Sequence, residues 1–472
     1  MRQLLLLLTL LLSSGAVTAQ DALPARIQRI VNGYKLPASS YSIVVQDVTA
    51  DTPLLAVNAD VPRNPASVIK LLTTITGLEV LGPAYTWRTE IFVDGKLNGD
   101  VLEGNLVIRG RGDPYLTTDQ FWRMVKALRL RGIRVITGDL LLDDTYFDVP
   151  PHDANAFDGQ GDRAYNVGPD ALLVNFQATN FYVMPAADGK SIAVKSDPEM
   201  PNLHIKNRLT AGNGSCSGYQ RGVSMHNVTT DEGADVTFSG SYPTRCGDYA
   251  MLRSVLTADN YAYGMFAQLW RESGGEFTGT VGRTIVTDDK RPYMVWTSPP
   301  LGDQVRSINK FSNNVMTRHL MLTLGAETFG PPATLEKGRQ AIDDFLAARN
   351  IDTSSLTLIN GSGLSRDTRI SAAMLRDVLL LGWRSPFMSE YVSSLSISGM
   401  DGTMRRRLRD GDTAGRMHLK TGTLDEVSAI AGYVHAATGR HFLVVVMVNH
   451  PSANRGPGQE LGNALMQWVY RQ

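Results

Sequence analysis

An α/β (α+β) domain assembled from both ends of the chain, interrupted by a large β-rich insertion, is the fold class this sequence predicts. Three observations point to it. Apolar helical segments occur before residue 85 and return after residue 256. Short segments rich in Val, Ile, Thr and aromatic residues, broken by Gly, Asp and Pro, fill the interval. Three strand-like segments then lie close together near the C-terminus. A length of 472 residues is too great for one ordinary core, and 43% hydrophobic residues can pack more than one. The expected division is 1–19 as a leader, 20–85 with 256–472 as one domain, and 86–255 as an insertion of two subdomains.

Taken in order, "MRQLLLLLTLLLSSGAVTAQ" has one basic residue, a leucine run and small residues at Val17 and Ala19. It reads as a secretory signal peptide cleaved after Ala19, the alternative being an uncleaved anchor. No later stretch has the length a bilayer requires, so cleavage leaves no transmembrane anchor. A short helix is expected over 22–34, then two strands within 41–58 across a turn at Ala50 and Asp51. The stretch "NPASVIKLLTTITGLEVLGP", residues 64–83, has Asn64 as a helix cap, Pro65 at the first helical position, and Gly82 and Pro83 as a stop. Segments such as "YTWRTEIFVDG", "NLVIRGRGDPYL" and "GADVTFSGSYP" give the insertion its strands. Helices follow over 260–275, 312–326 and 334–350, strands over 416–423, 426–436 and 441–450, and a closing helix from Gln459. There is no internal repeat and no low-complexity tract.

Composition excludes some classes of function. With 46 basic and 46 acidic side chains, no global field draws this chain to nucleic acid. Neither Cys-x-x-Cys nor His-Glu-x-x-His occurs, so no metal and no cofactor is expected. Cys216 and Cys246 are the only cysteines; export favours a disulfide between them over two unpaired thiols.

The chemistry begins with Ser67 and Lys70, one helical turn apart in the apolar run. Burial disfavours an ammonium and prepares Lys70 as a base for a serine nucleophile. The bland alternative is a helix-start serine beside a snorkelling lysine, and Ser307–Lys310 repeats the same spacing. Two further motifs decide between these. Ser312-Asn313-Asn314 opens a helix, and Lys420-Thr421-Gly422-Thr423 lies on a strand. Other Ser-x-Asn triplets at Ser307 and Ser452 are decoys, the latter on the wrong side of Lys-Thr-Gly. The ordered set Ser-x-x-Lys, Ser-x-Asn, Lys-Thr-Gly is the constellation of penicillin-binding proteins and serine β-lactamases.

Ser67 and Ser312 are 245 positions apart, whereas Ser312 and Lys420 are 108 apart, so the addition falls in the first gap. With "GDLLLDDTYFD", "LLVNFQ", "NGSGLSR" and "SGMDGTMRRR", the chain resembles the class C low-molecular-mass penicillin-binding proteins, the D-alanyl-D-alanine carboxypeptidase/endopeptidases. The resemblance covers nearly the whole mature chain; Asn360 stands where Asp is more usual. It implies a penicillin-binding/β-lactamase-like transpeptidase domain, periplasmic, acting on peptidoglycan stem peptides and crosslinks and acylated by β-lactam antibiotics. Under it Ser67 is the nucleophile, Lys70 its base and Ser312 a proton relay. Asn314 holds substrate backbone, and Lys420, with fixed charge, grips the terminal carboxylate together with Thr421 and Thr423 of the Lys-Thr-Gly422-Thr motif. The backbone N–H groups of Ser67 and Thr423 would form the oxyanion hole. Asp144 reads as an acidic turn or as an extra substrate contact, and Lys310 stays outside the catalytic set.

The rivals are a serine β-lactamase, which the insertion disfavours, a non-catalytic peptidoglycan-binding protein, and a Ser-His-Asp hydrolase using His418. The last lacks any Gly-x-Ser-x-Gly. Carboxypeptidase and endopeptidase action use the same nucleophile, and the residues do not choose between them.

Overall fold

The computed structural model describes residues 23–472; the expected leader at 1–19 lies outside the described residues. Both chain ends build one six-stranded antiparallel sheet, in the order Ser396–Ile397, Met417–Leu424, Val427–His435, His441–Asn449, Tyr41–Asp47, Leu55–Val57. Tyr41 pairs with Val448 and Asp47 with Phe442. The strands His441–Asn449 and Tyr41–Asp47 are almost wholly buried, because helices cover both faces of the sheet. On one side Ala25–Gly33 and Pro457–Tyr470 pack on Ile43, Val45, Val444 and Val446. On the other, Lys70–Leu81, Asn314–Phe329, Leu335–Ala347 and Ala372–Arg384 surround Val44, Leu443 and Val445. Period-two alternation sends Val44 to one core and its neighbours Ile43 and Val45 to the other.

The insertion has its own sheets and core. A seven-stranded sheet joins Arg88–Asn98, Val101–Gly110, Val135–Ile136, Leu140–Asp143, Glu276–Phe277, Val281–Arg283 and Met294–Thr297. Two three-stranded sheets follow, one of Leu203–Gly212, Ala234–Pro243 and Val223–Thr229, the other of Thr179–Pro185, Ile192–Asp197 and Tyr249–Arg253. Cys216 and Cys246 are joined as a disulfide, tying the loops that leave the parallel-paired strands Leu203–Gly212 and Ala234–Pro243.

The boundary expected at residue 255 is corrected. Helix Ala258–Glu272 buries Tyr261, Met265, Phe266 and Trp270 against Phe121, Leu128 and Phe181 of the insertion, not against the terminal domain. Three more strands then join the insertion's sheet, so the chain returns to the terminal domain only after Thr297. A helical stripe shows that a segment is amphipathic and says nothing about which core receives it. Helix Thr118–Leu130, in a region read only as strands, carries the same lesson. Its Phe121, Met124, Val125 and Leu128 have helical spacing that the surrounding turn residues obscured. Among the described residues no helix is long and apolar enough to cross a membrane.

Candidate active site

The chain enters the site through a constrained turn. Asn64 is buried; its Oδ1 accepts the Ala66 N–H at 2.9 Å, and its Nδ2 donates to the Ser365 carbonyl at 2.9 Å. Ala66 has φ +46°, a left-handed value costly for a residue with a Cβ. Residues Ala66–Ile69 form one 3₁₀ turn, which continues as the α-helix Lys70–Leu81, so the helix expected from Pro65 starts more tightly than predicted. Gly82, at φ +80°, ends it as expected. The strained residue therefore directly precedes Ser67, the one partly exposed side chain in the stretch Arg63–Leu72.

Lys70 is fully buried. Its Nζ lies 3.0 Å from Ser67 Oγ, donates to Asn314 Oδ1 at 2.8 Å, and donates to the Ser362 carbonyl. Burial first, then the positive charges of Lys420 and Arg318, hold the amine well below its ordinary pKa. A neutral amine has two N–H groups and one lone pair. The two carbonyl oxygens take the N–H groups, and the lone pair is left facing Ser67 Oγ.

Ser312 and Lys420 form the opposite wall. Ser312, at φ +57°, precedes helix Asn314–Phe329, whose cap Asn313 accepts the Met316 N–H at 3.1 Å. Lys420 Nζ donates to Ser312 Oγ and to the Thr421 carbonyl, both at 2.9 Å. Burial pushes Lys420 down to about 7, so its charge varies with pH where the sequence reading made it fixed. Thr421 Oγ1 donates to Thr403 Oγ1 at 2.8 Å, and Thr423 is exposed at the strand's end.

Gly422 explains why the strand can lie beside the nucleophile. A Cβ there would stand 2.5 Å from the Pro65 carbonyl oxygen and 3.0 Å from the Ser67 nitrogen. Only hydrogen fits in that gap.

Two bonded groups result, Ser67 with Lys70 and Asn314, and Ser312 with Lys420, and the charge of Lys420 acts on Lys70 across the space between them. Asn314 has an additional part inside the protein: its Oδ1 accepts from Lys70, and one of the two Nδ2 hydrogens is donated to the Tyr165 carbonyl at 3.1 Å. Two partners escaped sequence reasoning. Ser362 acts through its carbonyl, which has no side-chain signature, although it sits in the quoted "NGSGLSR". Arg318 lies one turn beyond Asn314, and that spacing was its only signal.

The remaining candidates stand apart. Asp144 accepts a bond from Arg283 at 2.6 Å and lines a cavity of about 1110 Å³ that none of Ser67, Lys70 and Ser312 borders. Lys310 is buried, paired with Asp401 at 2.5 Å and donating to the Leu395 carbonyl. His418 rests against His435 at 5.7 Å between ring centroids, and Ser67 Oγ has Lys70 where a triad would have histidine. No cluster suited to a metal ion occurs among the described residues.

The model of the D-Ala-D-Ala carboxypeptidase 3 (S13) family matches residues 23–471. A D-alanyl-D-alanine carboxypeptidase of Actinomadura sp. (strain R39) is 29% identical, over 94% of this chain and 85% of that protein. The crystal structure of penicillin binding protein 4 (dacB) from Haemophilus influenzae superposes with a TM-score of 0.77 at 22% identity, covering 95% of this chain and all of that one. A predatory endopeptidase from Bdellovibrio bacteriovorus shares the fold at a TM-score of 0.52 and 16% identity, over 91% of this chain and 92% of that one.

Proposed function

Given that the chain belongs to the D-Ala-D-Ala carboxypeptidase 3 (S13) family, and is therefore a serine-type D-alanyl-D-alanine peptidase of the cell wall, we propose how its own residues carry the reaction. Ser67 Oγ attacks the carbonyl carbon of the penultimate D-alanine and gives its proton to Lys70 Nζ. The backbone N–H groups of Ser67 and Thr423 receive the negative oxygen; the close approach at Gly422 brings the strand to the Ser67 nitrogen. As the C–N bond breaks, Ser312 passes a proton to the leaving amine, resupplied from Lys420 across their 2.9 Å bond. Water then hydrolyses the Ser67 ester: its hydroxide adds to the acyl carbon, its proton restores Lys420 through Ser312, and Lys70 returns its proton to Ser67 Oγ as the ester bond breaks. Lys420, Thr421 and Thr423 hold the peptide's terminal carboxylate. Asn314 serves first as the anchor of Lys70.

One observation carries this reading: a fully buried lysine whose N–H groups are taken by two carbonyl oxygens, and whose remaining contact is a serine hydroxyl at 3.0 Å. Its place of action is the periplasm, reached by the leader, and β-lactams acylate the same serine. Labelled penicillin tests the assignment. Ser67→Ala should lose covalent labelling and release of D-alanine while melting as the parent does; labelling that survives would assign the nucleophile elsewhere. Stable labelling also separates this reading from a β-lactamase, which would release the label quickly.

A further inference from the structure

Arg318 is buried at 5% exposure, yet its one hydrogen bond runs from Nη1 to the Val167 carbonyl at 2.7 Å. Among the described residues it has no carboxylate partner, and burial alone pushes it down to about 10. An arginine at such depth normally has a counter-ion, because desolvation of an unpaired charge is costly. The residue stands at i+4 from Asn314, on the same face of helix Asn314–Phe329. The Asn314 amide in turn touches Lys70 Nζ at 2.8 Å. Both helix residues also hold one strap of the insertion: Asn314 donates to the Tyr165 carbonyl and Arg318 to the Val167 carbonyl.

The geometry points to Arg318 as a positioning residue that acts through Lys70: an uncompensated cation, fixed one helical turn from the amide that holds the lysine, which opposes protonation of that lysine. This rests on the reading of Ser67 and Lys70 given above. The acceptors on Lys70, Asn314 Oδ1 and the Ser362 carbonyl, would by themselves favour an ammonium. Fixed positive charge tips the balance towards the amine, which can accept the Ser67 proton. Lys420 contributes too, but it titrates near neutrality and so weakens as a cation when the pH rises. Arg318 stays charged throughout the working range.

The groups around this pair are few. The strap carries His152, whose Nε2 meets the Asn166 carbonyl at 2.6 Å, and Asp153. Arg366 and Asp367 line the same cavity as Arg318. From the strand side Lys420 approaches through Ser312. His319, next on the helix, points away to the Gly112 carbonyl at 3.1 Å and is held neutral by burial, at about 4.

The test is the second-order rate of acylation by labelled penicillin, followed from pH 5 to pH 9 in the full chain. Arg318→Gln keeps a donor for the Val167 carbonyl and removes the charge. Its acid limb should move up by about one pH unit, a rate loss of up to about tenfold on the limb, and recover towards the parent rate above it. Arg318→Lys should keep the parent limb. Where the glutamine variant does not fold, Arg318→Met, which carries no charge at any pH, should give the same displacement. The displacement should persist in a His152→Gln background, which removes the other titrating group on the strap. A uniform loss with an unmoved limb would reduce Arg318 to a structural clamp and overturn the proposal, as would an equal displacement in Arg318→Lys. Absence of Ser67-dependent labelling in the parent would instead refute the assignment of the nucleophile.

Discussion

Buried positive charge is handled in opposite ways in the two regions of this molecule. In the insertion it is matched. Arg109, at 6% exposure, bonds Glu90 at 2.7 Å and Asp288 at 3.0 Å, and Arg253 sits 2.9 Å from Asp162. In the catalytic cleft Lys70, Lys420 and Arg318 are buried with hydroxyl and carbonyl oxygens as their acceptors and no carboxylate. The first arrangement serves folding. The second sacrifices stability for a site that is short of electrons before substrate arrives, suited to a peptide ending in a carboxylate and to a lysine that works as a free amine. Lys310, on a decoy motif beside the cleft and with no bond to Ser67, Lys70 or Ser312 among the described residues, is handled in the first way, paired with Asp401.

The sharpest way to break this contrast is to remove one counter-ion from the insertion. Glu90→Gln leaves Arg109 with only the exposed Asp288 and should cost about 3 kcal/mol in denaturant unfolding. Penicillin acylation per folded molecule should not change; a loss of acylation without a loss of stability would erase the division of labour. Next, Lys420→Met removes a cation that has no counter-ion. The folded-state pKa of Lys420, about 7, lies below its ordinary 10.5, so the native state binds fewer protons than the unfolded chain between those values. Its penalty is therefore complete below pH 7 and fades as the pH rises towards 10.5. The variant should be more stable than the parent by about 1 kcal/mol at pH 7, while KM for a D-alanyl-D-alanine peptide rises by about 30-fold. A less stable Lys420→Met protein would show that the charge is not a burden.

The smallest effect concerns an exception within the insertion. Asp113 is buried; its Oδ1 accepts the Tyr115 N–H at 2.8 Å, its Oδ2 has no partner, and burial pushes its carboxyl up from 3.8 to about 7. The native state then binds more protons than the unfolded chain between pH 4 and pH 7, so stability contributed by this group is lost as the pH rises through that window. Asp113→Asn should flatten that part of the stability profile and gain on the order of 1 kcal/mol at pH 7 relative to the parent. An unaltered slope between pH 4 and pH 7 would assign the loss to other groups.

Much of the cleft was legible because its side chains follow helix and strand rules. Ser67 and Lys70 share a face by i,i+3 spacing, and Lys420 lies on the strand Met417–Leu424, where the sequence predicts one. What stayed hidden depends on backbone atoms and on distance in the chain. The Ser362 carbonyl, the Tyr165 carbonyl and the left-handed Ala66 carry no residue-type signal, and the drop in Lys420 basicity needs burial that only the folded chain supplies. The terminal sheet could be foreseen from three strand-like segments near the end. The return point of the chain could not, since helix Ala258–Glu272 fits either core by pattern and is claimed by the insertion through Phe266 and Trp270.

One feature of the sheet reaches into the life of the chain before it is complete. Strand Tyr41–Asp47 pairs along one edge with the short Leu55–Val57 and along the other, over its whole length, with His441–Asn449, and the Asn449 side chain accepts the Asn64 N–H at 2.8 Å and donates to its carbonyl at 3.0 Å, three residues before the nucleophile. Synthesis must therefore run nearly to its end before the turn around Ser67 can set. A truncated product would carry the reactive hydroxyl without the clamp that aims it, so premature termination yields an inert polypeptide rather than an unregulated wall-cutting fragment.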